Sequence, residues 1–236
     1  ALDRAALLEQ LGLDGEARQE LDGEAARATP ADQMLTAAAG FLELGHPSRA
    51  TRIAQQALRA GAPRDPTTWR YVYPLPFQPA LRSASATARV DPWLVAALIR
   101  QESGFEPHAT SGAGARGLMQ MMPANGPALA RTIGLADYDA ALLWQPDVNL
   151  AMGTRHFAEA LRRYPDLERA LAAYNAGGSR VVRWSGTLLT GKTSDDPAFD
   201  VELFVERIPY LETRGYIRNI TVNAAMYRLL YGSQSP

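Results

Sequence analysis

The most constraining feature of this sequence is a succession of helix-length apolar segments interrupted by proline and glycine, with no sustained alternation of apolar and polar residues. A half-buried strand requires alternation with a period of two, whereas apolar residues spaced three and four apart form one face of a helix. The sequence therefore predicts an all-α fold. A short hairpin at residues 117–122 is the only strand pairing expected.

Helix boundaries are predicted from capping residues, prolines and glycines. Asp91-Pro92 opens the clearest helix, whose apolar run continues to Ile99 and which ends at Glu102. The other main predicted helices cover residues 31–44, 48–60, 123–133, 147–163, 166–176 and 212–231. A helical face near the start of the chain is expected from Leu7, Leu8, Leu11 and Leu13, with a stop at Asp14-Gly15.

Two parts of the chain are expected to form separate domains. The small alanine faces of residues 1–61 suit paired antiparallel helices, as in helical-repeat solenoids, and a free-standing helical cap is the alternative. Five prolines between residues 61 and 79 predict an extended connection. The predicted domains are therefore residues 1–74 and residues 75–236.

Composition excludes several classes of function. The net charge is −1, without the basic excess that nucleic-acid binding requires. The absence of cysteine rules out disulfides, thiol catalysis and zinc–thiolate sites. The three histidines lack ligand spacing and no Asp-rich calcium loop is present, so neither a metal nor another cofactor is expected. The longest apolar stretch, Trp93–Ile99, is too short to cross a membrane.

Glu102 is the leading catalytic candidate. A carboxyl at the end of an apolar helix, facing a glycine-rich loop, is poorly solvated, and desolvation raises its pKa from about 4.3 toward ~6. An acid that stays protonated near neutral pH is what cleavage of a glycosidic bond requires. The alternative for an isolated glutamate is a structural ion pair with a neighbouring arginine.

Five short segments accompany Glu102 in a recognisable order. They are Arg100-Gln101-Glu102-Ser103, Ser111-Gly112-Ala113, Gly117-Leu118-Met119-Gln120-Met121-Met122-Pro123, Ala173-Tyr174-Asn175-Ala176-Gly177 and Ile208–Tyr216. In order and spacing they resemble the catalytic domain of the soluble lytic transglycosylases, a goose-lysozyme-like family that acts on bacterial peptidoglycan. The resemblance implies a lysozyme-like helical catalytic domain. It also implies that residues 1–74 are the end of a superhelical domain.

The resemblance implies a reaction as well. Members of the family cleave the β-1,4 bond between N-acetylmuramic acid and N-acetylglucosamine without water, and leave a 1,6-anhydro sugar. Glu102 would then act as general acid and base. No acid in the matched segments near Glu102 serves convincingly as a second carboxylate, since Glu106 precedes Pro107 and is expected to be solvated. The alternatives are a hydrolytic goose-type muramidase on the same fold and a non-catalytic peptidoglycan-binding module.

The resemblance assigns roles to further residues. It places the Tyr174 hydroxyl beside Glu102, and has Ser111 orient the acid or contact the sugar. The substrate-binding residues that it implies are Gln120, Met122, Asn175 and Glu212. Each has a plainer alternative: Ser111 as an ordinary loop residue, Tyr174 and the methionines as core, and Glu212 as a cap at a helix N-terminus. Trp144, Trp184 and Phe204 are candidates for stacking on sugars, although core packing is favoured for each.

The expected partner is the glycan strand of peptidoglycan, and any partners in cell-wall synthesis or division are not identified. The resemblance implies an exported enzyme of the periplasm or cell envelope. Since the chain begins at Ala1 without a signal peptide, a mature or trimmed form is expected. The stretch of residues 188–200 is longer than usual in the family, and an insertion there is expected to reshape one end of the groove.

Overall fold

The computed structural model describes residues 2–186 and 199–232, and these confirm the predicted all-α fold. The α-helices are α1 (Leu2–Gln10), α2 (Asp14–Arg27), α3 (Ala31–Glu43), α4 (Pro47–Arg59), α5 (Pro66–Val72), α6 (Gln78–Ala88), α7 (Pro92–Glu102), α8 (Gly126–Thr132), α9 (Pro146–Arg163), α10 (Leu167–Ala176), α11 (Gly178–Ser185), α12 (Val201–Arg207) and α13 (Leu211–Tyr231). Short 3₁₀ helices cover Pro123–Asn125 and Ala140–Trp144. None of the helices in the described ranges has the length and apolarity to span a membrane.

The first of two compact units consists of Ala1–Pro76 with two later segments, Gly104–Glu106 and Arg228–Pro236. Within it α1 packs on α2, while α3 packs on α4 and α5. Its core contains Leu21, Phe41 and Ile53 among several alanines. Small side chains let these helices approach closely, because protein interiors are filled at nearly crystalline density.

The second unit consists of Phe77–Ser103 and Pro107–Tyr227. Its central helix is α9, which contacts α6, α8 and α10. Helix α7 is buried along its whole middle, from Leu94 to Ile99. The predicted division at residues 74 and 75 stays a prediction, because the first unit also takes up segments from much later in the chain.

Two regions differ from the helices expected from sequence. The proline-rich stretch after residue 61 contains a helix, α5, because Pro66 occupies its first turn and the Asp65 carboxylate accepts a hydrogen bond from Thr68 N at 2.8 Å. Proline is compatible with that position, where its missing N–H has no helical partner to lose. Likewise Asp14 begins α2 rather than stopping a helix. Of the leucines predicted to share one helical face near the start, Leu7 and Leu8 lie in α1, whereas Leu11 and Leu13 follow the end of that helix. Leu7, Leu11 and Leu13 are exposed.

Pairing of extended backbone in the described residues is limited to two isolated bridges, Thr110–Arg116 and Arg116–Met121. The second bridge closes a tight turn, because Arg116 N donates to Met121 O and Met121 N donates to Arg116 O, both at 2.9 Å. We call residues 109–121 the hairpin loop. The predicted hairpin at residues 117–122 is this turn. Of the insertion predicted at residues 188–200, positions 188–198 lie outside the described residues.

Candidate active site

Glu102 is the last residue of α7, and the sequence of that helix explains its environment. The Asp91 carboxylate accepts a hydrogen bond from Trp93 N at 3.0 Å and caps the helix, with Pro92 in the first turn. The apolar run that follows is buried, so the helix delivers the Glu102 carboxyl to the edge of the core. Burial raises the pKa of Glu102 to about 7, the Tyr216 hydroxyl opposes this rise, and the negative charge of Glu212 adds to it. The group is therefore about half protonated at neutral pH.

Tyr216 on α13 is the direct partner of Glu102. Its hydroxyl donates a hydrogen bond of 2.5 Å to Glu102 Oε1. The phenol is almost fully buried, and burial raises its pKa well above the usual value of 10, so it stays a neutral donor. Tyr216 carries no predicted role, although it ends one of the motif segments. A signal was present, because Tyr216 lies four residues after Glu212 and therefore on the same face of a helix.

The hairpin loop is attached to the end of α7 by Ser103. The Ser103 hydroxyl donates to Leu118 O at 2.8 Å, which ties the residue after Glu102 to the middle of the loop. Gly117 lets the same loop lie directly against Leu143 and Asn149: its φ is +77°, and a side chain there would overlap the Leu143 carbonyl and the Asn149 amide. Both features explain why the loop needs glycine at this position.

Asn149 is a buried hub beneath the hairpin loop. Its Nδ2 donates to Leu143 O at 2.7 Å and to Arg116 O at 2.9 Å, and its Oδ1 accepts from Met119 N at 2.7 Å. A fully buried amide with its groups satisfied holds its surroundings in one arrangement. Asn149 therefore fixes the loop to α9 and to the 3₁₀ helix Ala140–Trp144. Sequence patterns assign it no role, because it reads as one polar residue in an amphipathic helix.

Tyr174 lies near Glu102 but donates its proton elsewhere. Its hydroxyl donates to Met119 O at 2.9 Å, so the hydrogen bond to the Glu102 carboxyl comes from Tyr216. The role implied for the Tyr174 hydroxyl beside Glu102 stays a prediction. The two groups still interact, because burial and then the Glu102 charge raise the pKa of Tyr174 well above 10. The ring packs against His156 and Phe157, with centroids 5.4 and 5.7 Å away.

The loop residues predicted to meet the sugar are placed differently from one another. Met122 is 38% exposed, whereas Met119 and Met121 are core. Gln120, with a positive φ of 49°, donates from its side-chain Nε2 to Gly117 O at 2.9 Å and to Ala109 O at 3.3 Å. Only its amide oxygen is left for a sugar. Ser111 is exposed, and its hydroxyl oxygen accepts from Ala115 N at 3.0 Å, which supports the loop.

Two predicted sugar-binding residues, Asn175 and Glu212, lie near the start of α13. The Thr213 hydroxyl donates to Asn175 Oδ1 at 2.7 Å, which leaves the Asn175 NH₂ group as a donor. Glu212 is exposed in the first turn of α13, where a carboxylate is favoured by the helix dipole. Its charge reaches Glu102. Glu212 therefore combines a favourable position in the first turn of α13 with an electrostatic effect on the acid.

The three aromatic candidates for sugar stacking differ in burial. Trp184 and Phe204 are buried, as core packing predicts, whereas Trp144 is only partly buried. Within the described ranges, acidic residues and histidines do not gather in groups of three or more that would hold a metal ion.

Comparisons with known proteins converge on one family. Residues 79–195 match the family model of the transglycosylase SLT domain. A putative soluble lytic murein transglycosylase of Haemophilus influenzae is 37% identical over 141 residues, which are 59% of this chain and 23% of that protein. The soluble lytic murein transglycosylase of Escherichia coli is 30% identical over 164 residues, or 69% of this chain and 24% of that protein.

Solved structures show the same likeness over nearly the whole chain. The lytic transglycosylase Slt of Pseudomonas aeruginosa, solved as an inactive mutant with a glutamate changed to glutamine, has a TM-score of 0.79 at 27% identity and covers 99% of this chain and 36% of that one. The 70 kDa soluble lytic transglycosylase of E. coli has a TM-score of 0.79 at 25% identity and covers 97% and 35%. The chain thus spans about a quarter of the length of the curated relatives that it matches.

Proposed function

Because this chain belongs to the soluble lytic transglycosylase family, we propose that it cleaves the β-1,4 bond between N-acetylmuramic acid and N-acetylglucosamine of peptidoglycan without water, leaving 1,6-anhydro ends. The observation that carries the proposal is the environment of Glu102. Its carboxyl has a pKa of about 7 and is held by the buried Tyr216 phenol. Such a group can both give and take a proton near neutral pH.

Glu102 acts in both halves of the reaction. In the first, its proton passes to the departing glycosidic oxygen as the bond to the anomeric carbon breaks, and the N-acetyl group of the muramic acid assists from the other side. In the second, the Glu102 carboxylate takes the proton of the 6-hydroxyl of the same sugar, and that oxygen bonds to the anomeric carbon. The proton balance returns Glu102 to its starting form.

Tyr216 supports the ionised form of Glu102 between these steps. A phenol donor to a carboxylate makes a strong, charge-assisted hydrogen bond, so the loss of the proton costs less free energy than burial alone would impose. The same bond fixes the carboxyl in one orientation, which proton transfer to a defined oxygen requires. Tyr174 acts less directly, by holding the Met119 carbonyl and by placing its dipole near the carboxyl.

The glycan strand is the proposed partner, with no cofactor and no nucleic acid involved. We assign sugar contacts to the amide oxygen of Gln120, the exposed thioether of Met122, the free NH₂ of Asn175 and the carboxylate of Glu212, with Ser111 supporting the loop. Since peptidoglycan lies outside the cytoplasmic membrane, the proposed location is the periplasm or cell envelope.

A hydrolytic muramidase on the same fold is the second candidate, and one observation favours it. The charge of Glu212 contributes to the raised pKa of Glu102, and a second carboxylate is the group with which an inverting hydrolase activates its water. The products separate the two reactions. Mass spectrometry of released muropeptides should show anhydro ends lighter by one water, and reducing-end N-acetylmuramic acid as the sole product would refute the transglycosylase proposal.

A binding module without catalysis is the remaining alternative, and it needs no acid of raised pKa. The test is Glu102→Gln, which keeps the shape of the side chain and removes its proton transfer. Release of muropeptides from purified sacculi should fall at least ~100-fold. Glu106→Gln, in the adjacent loop, serves as the matched control and should stay close to the parent rate. Near-full activity of Glu102→Gln would show that the acid lies elsewhere.

A further inference from the structure

Trp144, in the second unit, has an indole ring that is not fully buried in the core. It is partly buried, whereas the neighbouring Leu143 is fully buried. Leu143 therefore anchors the 3₁₀ helix Ala140–Trp144, and the next side chain is left at the surface of the hairpin loop. Neither the packing of that helix nor the proposed chemistry at Glu102 accounts for a large aromatic ring at this position.

The ring is held in place by contacts that leave part of it open. The guanidinium of Arg116 lies over the indole, 4.4 Å from the ring centroid, and is itself fixed by a hydrogen bond of 3.0 Å from Nη1 to Ala140 O. The indole Nε1 donates to Thr110 Oγ1 at 3.4 Å. A cation over one face and a hydrogen bond at the edge give the ring a fixed orientation before any ligand arrives.

The ring is also connected to the catalytic side of the hairpin loop. Leu118, whose carbonyl accepts from Ser103, is separated from Arg116 by Gly117 alone, within the tight turn that the Arg116–Met121 bridge closes. Asn149 binds the carbonyls of both Arg116 and Leu143. A strand of sugars that runs from Glu102 along the hairpin loop therefore passes Trp144.

The chemistry of the site fits a sugar ring. The C–H face of a pyranose is apolar and flat enough to pack on an aromatic face, and its hydroxyls at the rim need polar partners. Thr110 supplies a hydroxyl at the rim.

We propose that Trp144, stacked on Arg116, forms a subsite for a sugar residue of the glycan strand beyond the two sugars that flank the cleaved bond. The inference rests on the proposed function, since it takes the bound strand as the ligand. It assigns Trp144 to binding and not to the reaction itself. Its loss should therefore change the dependence on strand length while leaving the chemistry of Glu102 intact.

The test uses the inactive Glu102→Gln protein as parent and β-1,4-linked N-acetylglucosamine oligomers, from dimer to hexamer, as probes. Calorimetric titration of the parent should show affinity rising as the oligomer becomes long enough to reach Trp144. Trp144→Ala should weaken hexamer binding about tenfold, as expected for loss of one stacked ring, and leave the dimer unchanged. Trp144→Leu, which keeps an apolar side chain, provides the same test if the alanine variant folds poorly.

Trp93→Ala is the matched control. Trp93 is also partly buried, with Arg82 5.6 Å from its ring, but it lies at the opposite end of α7 from Glu102, about 13 Å away at 1.5 Å per residue. This variant should bind every oligomer as the parent does. In the catalytically intact chain, Trp144→Ala should raise KM for long strands and leave kcat nearly unchanged.

Three results would overturn the subsite. They are no length dependence in the parent, hexamer affinity unchanged in both Trp144 variants, and equal losses for dimer and hexamer, which would mean that Trp144 only supports the fold. Failure of the proposed function is a different result. In that case the intact chain releases no anhydro-muropeptides from sacculi, whether or not the Trp144-dependent step in affinity is present.

Discussion

Replacement of Glu102 by glutamine should make the protein more stable at alkaline pH, because an acid of raised pKa destabilises the fold that holds it. The pKa of Glu102 is about 7 in the folded chain, against an ordinary value of 4.5. Above pH 4.5 the unfolded chain releases this proton while the folded chain retains it. The free energy of unfolding therefore falls as pH rises through this range, and the loss is complete above pH 7.

The magnitude follows from the two pKa values, since a tenfold change in an ionisation constant corresponds to about 1.36 kcal/mol. The full loss is about 3 kcal/mol, of which about 2.5 kcal/mol falls between pH 5 and pH 8. Glutamine has no such titration and can still accept the hydrogen bond of Tyr216. Relative to the parent, Glu102→Gln should thus gain about 2.5 kcal/mol in unfolding free energy on going from pH 5 to pH 8.

Urea unfolding of both proteins at the two pH values measures this difference directly. Glu206→Gln is the control, because Glu206 is exposed and pairs with Arg218 at the surface, where such pairs contribute about 1 kcal/mol or less. Its effect should be small at both pH values. If Glu102→Gln and the parent differ by the same amount at pH 5 and pH 8, the Glu102 carboxyl is ordinarily solvated and the argument for a buried acid is refuted.

Three further predictions concern the groups around this acid. Tyr216→Phe removes a hydrogen bond that lowers the pKa of Glu102, so the alkaline limb of the pH–rate profile should move to higher pH while kcat falls. An unmoved limb would contradict the pairing. Gly117→Ala should lower the free energy of unfolding, measured by thermal melts, by about 3 kcal/mol or more, because strain at positive φ is added to a collision with Leu143 and Asn149. Gly114→Ala, at a similar φ but in open space, should lower it by only about 1 kcal/mol. Equal losses in the two variants would rule out the collision. Tyr174→Phe leaves the Met119 carbonyl without its phenol donor, so unfolding should become easier by about 1–2 kcal/mol and kcat should fall more than KM rises; an unchanged melting temperature would show that this bond contributes little.

The sequence alone determined the parts of the site that depend on neighbours in the chain. Asp91 and Pro92 start a helix whose apolar run continues to Ile99, so Glu102 falls at its end, and local spacing is sufficient to predict that. The direction of the pKa shift was predicted by the same local argument, because a carboxyl that directly follows a buried apolar run lies close to the core, where it is desolvated.

The packing of distant helices determines which groups meet across the chain. Tyr216 donates to Glu102 over a separation of 114 residues, and Tyr174, the phenol expected there, donates to Met119 instead. Asn149 is a buried hub because α9 packs beneath the hairpin loop, which brings its amide to Met119 and Arg116. A hydrogen bond forms only when the donor–acceptor distance is correct to within a few tenths of an ångström. The packing of distant helices sets that distance, so the local sequence around Glu102 or Tyr174 cannot predict it.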